Sequence, residues 1–348
     1  MPKKILQISP YSFDHPGGVE QYARTLQEIF PDDMMTFAGG EDFAIIEPVM
    51  HCPLPCFWQR DFWRIFDTIT RENTRFILSH IRFVPTSWLA FWIAKRRTIP
   101  YIHIEHGTGF LVHKNPLIAG VAKLIDLTIG KYIIRHADRV ICVSEAGKKW
   151  VGTTFGRTEG IDVIYRGFDF PKVERRHNAI KKVGFVGRLT GLKNVSSLIE
   201  ALAELREEKW ILEIVWDGEE RENLEKLSES LSIENRIIFH GAKSHDWIMT
   251  EFYPGIDIFV NPSLQEWLPT TVIEALGMGC QVIATDVGGT REIGGIILID
   301  PEKSSLKQSL NENLWNPDFP SVKKNQFTLE SMREKYLWSF SYDFFPHT

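Results

Sequence analysis

Short, continuous apolar runs alternate with longer stretches of helical period along this chain, and they do so twice. That pattern constrains the fold more than any other feature. A strand that is apolar at every position has no polar face to turn toward water. Both faces must be covered, and parallel strands joined by crossover helices meet that need. In the first half, KKILQIS (3–9), RFILSH (75–80), IPYIHIEH (99–106), RVICVS (139–144) and DVIYRG (162–167) read as strands, with helices expected at 19–30, 58–72, 87–97 and 119–137. In the second half, KKVGFVG (181–187), WILEIVW (210–216), RIIFHG (236–241), IDIFVN (256–261) and CQVIAT (280–285) read as strands, with helices at 194–207, 219–231, 244–253 and 270–278. Between the two series lies FDFPKVERRHNAI (168–180), which is polar, irregular and without an apolar period. The expectation is an α/β chain of two doubly wound, Rossmann-like domains, 1–168 and 169–331, facing a cleft. Ligands belong at the carboxyl ends of the strands.

Composition narrows the function. The 348 residues are 43% hydrophobic and 24% charged, as expected for two globular domains. The net charge of -5 divides unevenly, +2 over residues 1–170 and -7 over 171–348, and argues against a nucleic-acid partner. No apolar run is long enough to span a bilayer, and MPKKILQIS leads directly into a strand pattern without the plan of a signal peptide. A cytoplasmic protein with reduced thiols is expected. Cys142 and Cys280 lie in apolar runs. His51, Cys52 and Cys56 lack a second cluster to complete four ligands, so no metal is expected.

The chemistry then falls in the strand-to-helix loops. Gly17-Gly18 open a helix after the first strand, where paired glycines either let a ligand approach or make a plain turn. The strand at 99–106 runs straight into His106-Gly107, so the imidazole lies at the carboxyl edge, either as a site residue or satisfying a loop carbonyl. Gly187, Arg188 and Lys193 precede a helix. Two cations beside a helix N-terminus form an anion site suited to diphosphate, or else a solvated helix start. The glycine fingerprint of a dinucleotide site is absent. The stretch QEWLPTTVIEALGMGCQVIATDVGG (265–289) places Glu266 in a loop, Pro269, Thr270 and Thr271 at a helix start, and Glu274 one turn in. One carboxylate could accept from sugar hydroxyls and the other from a ribose diol, with a diphosphate between them at the helix N-terminus. TDVGGTREI (285–293) reads as a turn and a helix start, and no more.

Taken in order, Gly17-Gly18, His106-Gly107, Val143-Ser144, Gly187-Arg188 with Lys193, Asp217-Gly218, the Glu266-x7-Glu274 pair and Asp286-x-Gly-Gly-x-x-Glu292 resemble the retaining glycosyltransferases of family 4, which have the GT-B fold. The resemblance covers nearly the whole chain. It implies a hexose moved from a nucleotide-diphosphate sugar to a glycan or lipid-linked saccharide, in polysaccharide biosynthesis, without a cofactor. Arg188 and Lys193 would neutralise the diphosphate at Gly187. Glu266 would hold donor-sugar hydroxyls, N–H groups near Leu268 and Thr270 the phosphates, and Glu274 the ribose. His106 would face the sugar near its C6 side, and Gly18 would let the first loop approach donor and acceptor. A last helix, about 332–348, would return to the N-terminal domain. Same-face attack and a covalent intermediate both stay open, as do a nucleotide-sugar epimerase of the same architecture and a non-catalytic sugar-nucleotide-binding protein. Many relatives act on lipid-linked acceptors. The Trp-, Phe- and Arg-rich stretches 56–66 and 87–97 therefore either meet the inner face of a membrane peripherally or pack on the first sheet. The chain departs from the family at Asn194 and Trp267, where glycine is usual in both places.

Overall fold

The computed structural model describes residues 4–9, 18–38, 74–82, 85–110, 115–176, 179–205, 208–314 and 324–340. Gly17, the helix expected at 58–72, the stretch 56–66 and Cys52 and Cys56 lie outside them. The chain forms two compact units, passing from the first to the second between Gly167 and Phe168 and back between Phe327 and Thr328. The return begins before residue 332 because the Thr328 hydroxyl caps the last helix, Leu329–Ser339, by accepting from the Ser331 N–H.

In the first unit six strands, β1 (Lys4–Ser9), β2 (Met34–Ala38), β3 (Thr74–His80), β4 (Tyr101–Glu105), β5 (Arg139–Cys142) and β6 (Ile161–Val163), pair in the order β2-β1-β3-β4-β5-β6. Every pairing is parallel. Alternate side chains go to opposite faces, as a period of two requires. Ile77, Val140 and Cys142 pack under the helices 85–97, 131–136 and 145–155, whereas Phe76, Leu78 and Ile141 pack under Gly18–Ile29 and Leu329–Ser339. Tyr336 on the last helix bonds the Tyr22 hydroxyl at 2.8 Å, and Tyr22 donates to the Ile164 carbonyl at 3.1 Å. In 87–97, Ala90, Ile93 and Ala94 are fully buried, so this stretch packs on the sheet. The helix expected at 119–137 begins earlier, at Pro116, under an Asn115 cap, and passes through a wide turn at Asp126–Gly130 into Lys131–His136.

The second unit repeats the plan: β7 (Lys181–Val186), β8 (Trp210–Val215), β9 (Ile237–Gly241), β10 (Ile258–Asn261), β11 (Gln281–Thr285) and β12 (Ile297–Ile299) in the order β12-β11-β10-β7-β8-β9, all parallel. The order reverses between β7 and β10, which are neighbours, so their carboxyl ends meet at a topological switch point. The edge strands β2 and β12 are not legible in the sequence because five and three residues show no decisive period. The helix 145–155 is hidden because its glycines interrupt the apolar pattern; Ser144 and the left-handed Gly156 cap it. The helix expected at 244–253 is a single turn, 245–247, that widens over Ile248–Phe252. Among the described residues no helix is long and apolar enough to cross a membrane.

The first unit also holds a buried charged group. Arg82 sits 2.7 Å from Glu105 and 3.0 Å from Asp126, with all three side chains sealed from solvent. The desolvation of Glu105 is overcome by Arg82, with help from His103 and the Gly107 N–H, which holds its carboxyl down at about 2. Burial pushes Asp126 the other way. Breaking such a group by removing one partner is costly. Arg82→Met is expected to lower stability by about 3–5 kcal/mol in urea unfolding at pH 7. In the wild type the Glu105 contribution is present above about pH 4.5 and lost as pH falls toward 2, because its folded pKa is the depressed one. The gap between variant and wild type is therefore expected to narrow below about pH 4.5.

Candidate active site

In the second unit the switch point collects the charged loops. Lys193 ends a short turn, Gly191–Lys193, after β7, and its Nζ lies 2.6 Å from Glu266 Oε1. Asn261, the last residue of β10, donates to the same oxygen at 3.1 Å, and its own Oδ1 accepts from Ser263 at 2.6 Å. The sequence suggests different parts of a ligand for Lys193 and Glu266; the structure joins them in one ion pair. Arg188, two residues past β7, is exposed, and Lys193 Cε lies 3.9 Å from where a Cβ on Gly187 would stand. Such a Cβ would also come 3.1 Å from the Phe185 ring.

Asn194 takes φ +52° and ψ 35°. That is the left-handed conformation glycine usually supplies, and Asn is among the few other residues that tolerate it. Asn194 thus holds a conformation that glycine also adopts readily.

Beyond the Glu266 loop, Leu268 is half-buried and Thr270 opens the helix Thr270–Gly277 behind Pro269. Pro269 offers no side-chain cap. Helical geometry alone leaves the first N–H groups without intrahelical acceptors. Glu274 is buried within that helix. Its Oε2 accepts from the Tyr253 hydroxyl and its Oε1 meets His245 Nε2, both at 3.1 Å. Nothing in the sequence singles out His245 and Tyr253, whose stretch shows only a helical period.

The Gly288-Gly289 pair does more than turn the chain: it packs against the Glu266 loop. Gly288 has φ +57°, and a Cβ there would fall 1.8 Å from the Glu266 carbonyl oxygen. Gly289 N–H donates to the Trp267 carbonyl at 2.9 Å. The backbone of the Glu266 loop therefore rests directly on glycine, and Trp267 is held by its carbonyl.

In the first unit His106 follows β4, is 5% exposed, and stands edge-on to Tyr22 with ring centres 5.1 Å apart. Its Nε2 lies 3.0 Å from His80 Nδ1, and His80 Nε2 lies 3.0 Å from Gln7 Oε1. Burial drives the His106 pKa down to about 3 despite Glu105 and holds His80 well below the ordinary value. Gly18 is exposed at the start of its helix, and a Cβ there would meet no atom of the described residues within 4 Å. Packing among the described residues does not itself require glycine there. Among the described residues no group of three or more metal-ligating side chains converges.

Gly288→Ala adds a methyl group against backbone at a left-handed position. It is expected to lower stability by about 1–3 kcal/mol and to displace the Glu266 loop. Urea unfolding and the crystal structure of the variant check both.

The family model described as Glycosyltransferase Family 4 matches residues 16–170, and that described as Glycosyl transferases group 1 matches 169–313. An uncharacterised glycosyltransferase of Methanocaldococcus jannaschii is 26% identical over 96% of this chain and 95% of its own length. One chain of the human phosphatidylinositol N-acetylglucosaminyltransferase is 28% identical over 89% of this chain and 68% of its own. The crystal structure of Anabaena HepE in complex with UDP and glucose aligns over 98% of this chain and all of its own, with a TM-score of 0.76 at 18% identity. Two all-parallel α/β units, each matched by one of these family models, identify the chain as a family 4 glycosyltransferase of the GT-B fold.

Proposed function

We propose that the protein moves a hexose from a nucleotide-diphosphate sugar to a glycan or lipid-linked saccharide, with retention of configuration and without a metal. The observation that carries this is the meeting of Lys193, Glu266 and an uncapped helix start at the switch point of the second unit. A glycosyl diphosphate is already activated. What the enzyme must supply is stabilisation of charge on the departing diphosphate. Lys193, the exposed Arg188 and the N–H groups at Leu268 and Thr270 supply positive charge there. Glu266, held by Lys193 and Asn261, takes the donor-sugar hydroxyls, and Glu274, oriented by Tyr253 and His245, takes the ribose. His106 takes a hydroxyl of the sugar, and Gly17-Gly18 admit donor and acceptor to the first loop. The names of similar proteins support this: HepE was solved with UDP and glucose, and a relative in Salmonella typhimurium is a lipopolysaccharide 1,6-galactosyltransferase.

A peripheral contact with the inner face of a membrane belongs to the same reading, carried by another helix than the one expected. Pro116–Ile125 has no buried residue; Leu117 is 74% and Leu124 63% exposed, and Val121 and Leu127 are exposed beside them. The carboxylate of the adjoining turn, Asp126, is buried on Arg82, and among the described residues of this segment Lys123 and Lys131 carry the remaining charge. An apolar helix edged by lysines matches an anionic lipid surface. A lipid-linked acceptor would be met there, and the buried free thiols Cys142 and Cys280 suit the cytoplasm.

Screening nucleotide sugars for thermal stabilisation and for transfer tests the function; turnover of a donor by isomerisation, with no acceptor, would refute transfer. With the donor in hand, Lys193→Ala is expected to lower the transfer rate about a hundredfold, and a chelator to leave it unchanged. Glu274→Ala is expected to weaken binding of the nucleoside diphosphate and of the full donor alike. Glu266→Ala is expected to leave diphosphate affinity almost unchanged while lowering transfer, which calorimetric titration of both ligands separates. Leu117→Ser with Leu124→Ser is expected to abolish flotation with anionic phosphatidylglycerol vesicles while leaving nucleotide binding intact.

A further inference from the structure

We propose that Gln7 and His80 are positioning residues that fix His106 as a hydrogen-bond acceptor toward its ligand. Carbonyl oxygens of the backbone determine the direction of every bond in the chain that leads to it. The Ala23 carbonyl can only accept, so the Gln7 atom 2.9 Å away is the amide nitrogen. The second hydrogen of that nitrogen goes to Thr36 Oγ1 at 2.9 Å. The Thr36 hydroxyl in turn donates to Gln27 Oε1 at 2.5 Å, and Gln27 Nε2 donates to the Met34 carbonyl at 3.0 Å. Both glutamine amides are thus anchored on backbone carbonyls, and neither can flip without placing oxygen against oxygen.

Gln7 Oε1 is therefore an acceptor, and His80 Nε2, 3.0 Å from it, must carry the hydrogen. A neutral imidazole has one N–H. His80 Nδ1 is then a bare lone pair, and His106 Nε2, 3.0 Å away, must donate to it. That places the single N–H of His106 on Nε2 and leaves Nδ1 bare. Both rings are neutral near pH 7, since burial outweighs the attraction of Glu105 at His106 and burial disfavours a cation at His80. Among the described residues none bonds His106 Nδ1, and that atom is not sealed from solvent.

The consequence is a selectivity. At neutral pH this position accepts a hydrogen bond and does not give one. The ligand group it takes is an O–H or N–H, and a carboxylate, a ketone or a deoxy carbon finds no partner there. That consequence rests on the proposed sugar-transfer reading; the proton placement itself does not.

The test is ¹⁵N-detected tautomer analysis of the histidines in the whole protein at pH 7, with the His106 signals assigned by their loss in His106→Gln. The expected result is a protonated Nε2 and an unprotonated Nδ1 at His106. A proton on Nδ1 in the wild type overturns the proposal, and this measurement needs no substituted His80. His80→Leu is expected to leave His106 as a mixture of tautomers and to lower kcat/KM about tenfold, the loss of one directed hydrogen bond. His80→Asn, whose Oδ1 can accept in place of Nδ1, is expected to restore the single tautomer. A pure Nε2–H tautomer in His80→Leu, with unchanged signals from His103 and His136 of the same unit showing intact folding, also overturns it. Failure of every nucleotide sugar as donor would refute the sugar-transfer reading while leaving the tautomer result standing.

Discussion

A parallel sheet covered on both faces leaves polar chemistry nowhere to go but its strand ends. This constraint organises both units. In the second, β7 and β10 are adjacent although β8 and β9 intervene in sequence, so the crossovers leave in opposite directions from their carboxyl ends. Lys193 and Glu266, 73 residues apart, meet there at 2.6 Å. The ion pair satisfies two charges that would otherwise stand part-buried, and it fixes the Glu266 side chain.

Backbone contacts hold that arrangement. The Glu266 loop lies so close to Gly288 that no side chain fits between them, and the Gly289 N–H ties the next carbonyl. Asn194 supplies a left-handed residue between Lys193 and its helix. Trp267 in place of a glycine is accommodated because the neighbouring contact uses its main chain.

The first unit uses the same edge differently. Several of its polar groups are buried and paired: Arg82 with Glu105 and Asp126, Gln7 with His80, His80 with His106. In so dry a setting each hydrogen must have one place, since a misdirected bond leaves a buried polar atom unsatisfied. Orientation of the histidines is thereby set from backbone carbonyls on β2 and the first helix.

The sequence by itself determined the fold class, because continuous apolar strands alternating with helical periods admit few other arrangements. It also determined where the site residues could lie, since loops after parallel strands face one edge. Glu266, Glu274, Lys193 and His106 could be placed at that edge as candidates for that reason. Only the tertiary structure decided which of them touch. The Lys193–Glu266 pair, Gly288 under Glu266, His245 and Tyr253 on Glu274, and Gln7 and His80 behind His106 all join residues distant in the chain. Periodicity reports which face a side chain takes, not which partner it finds. Partners depend on strand order, and strand order depends on the direction each crossover takes, which no local pattern of residues encodes.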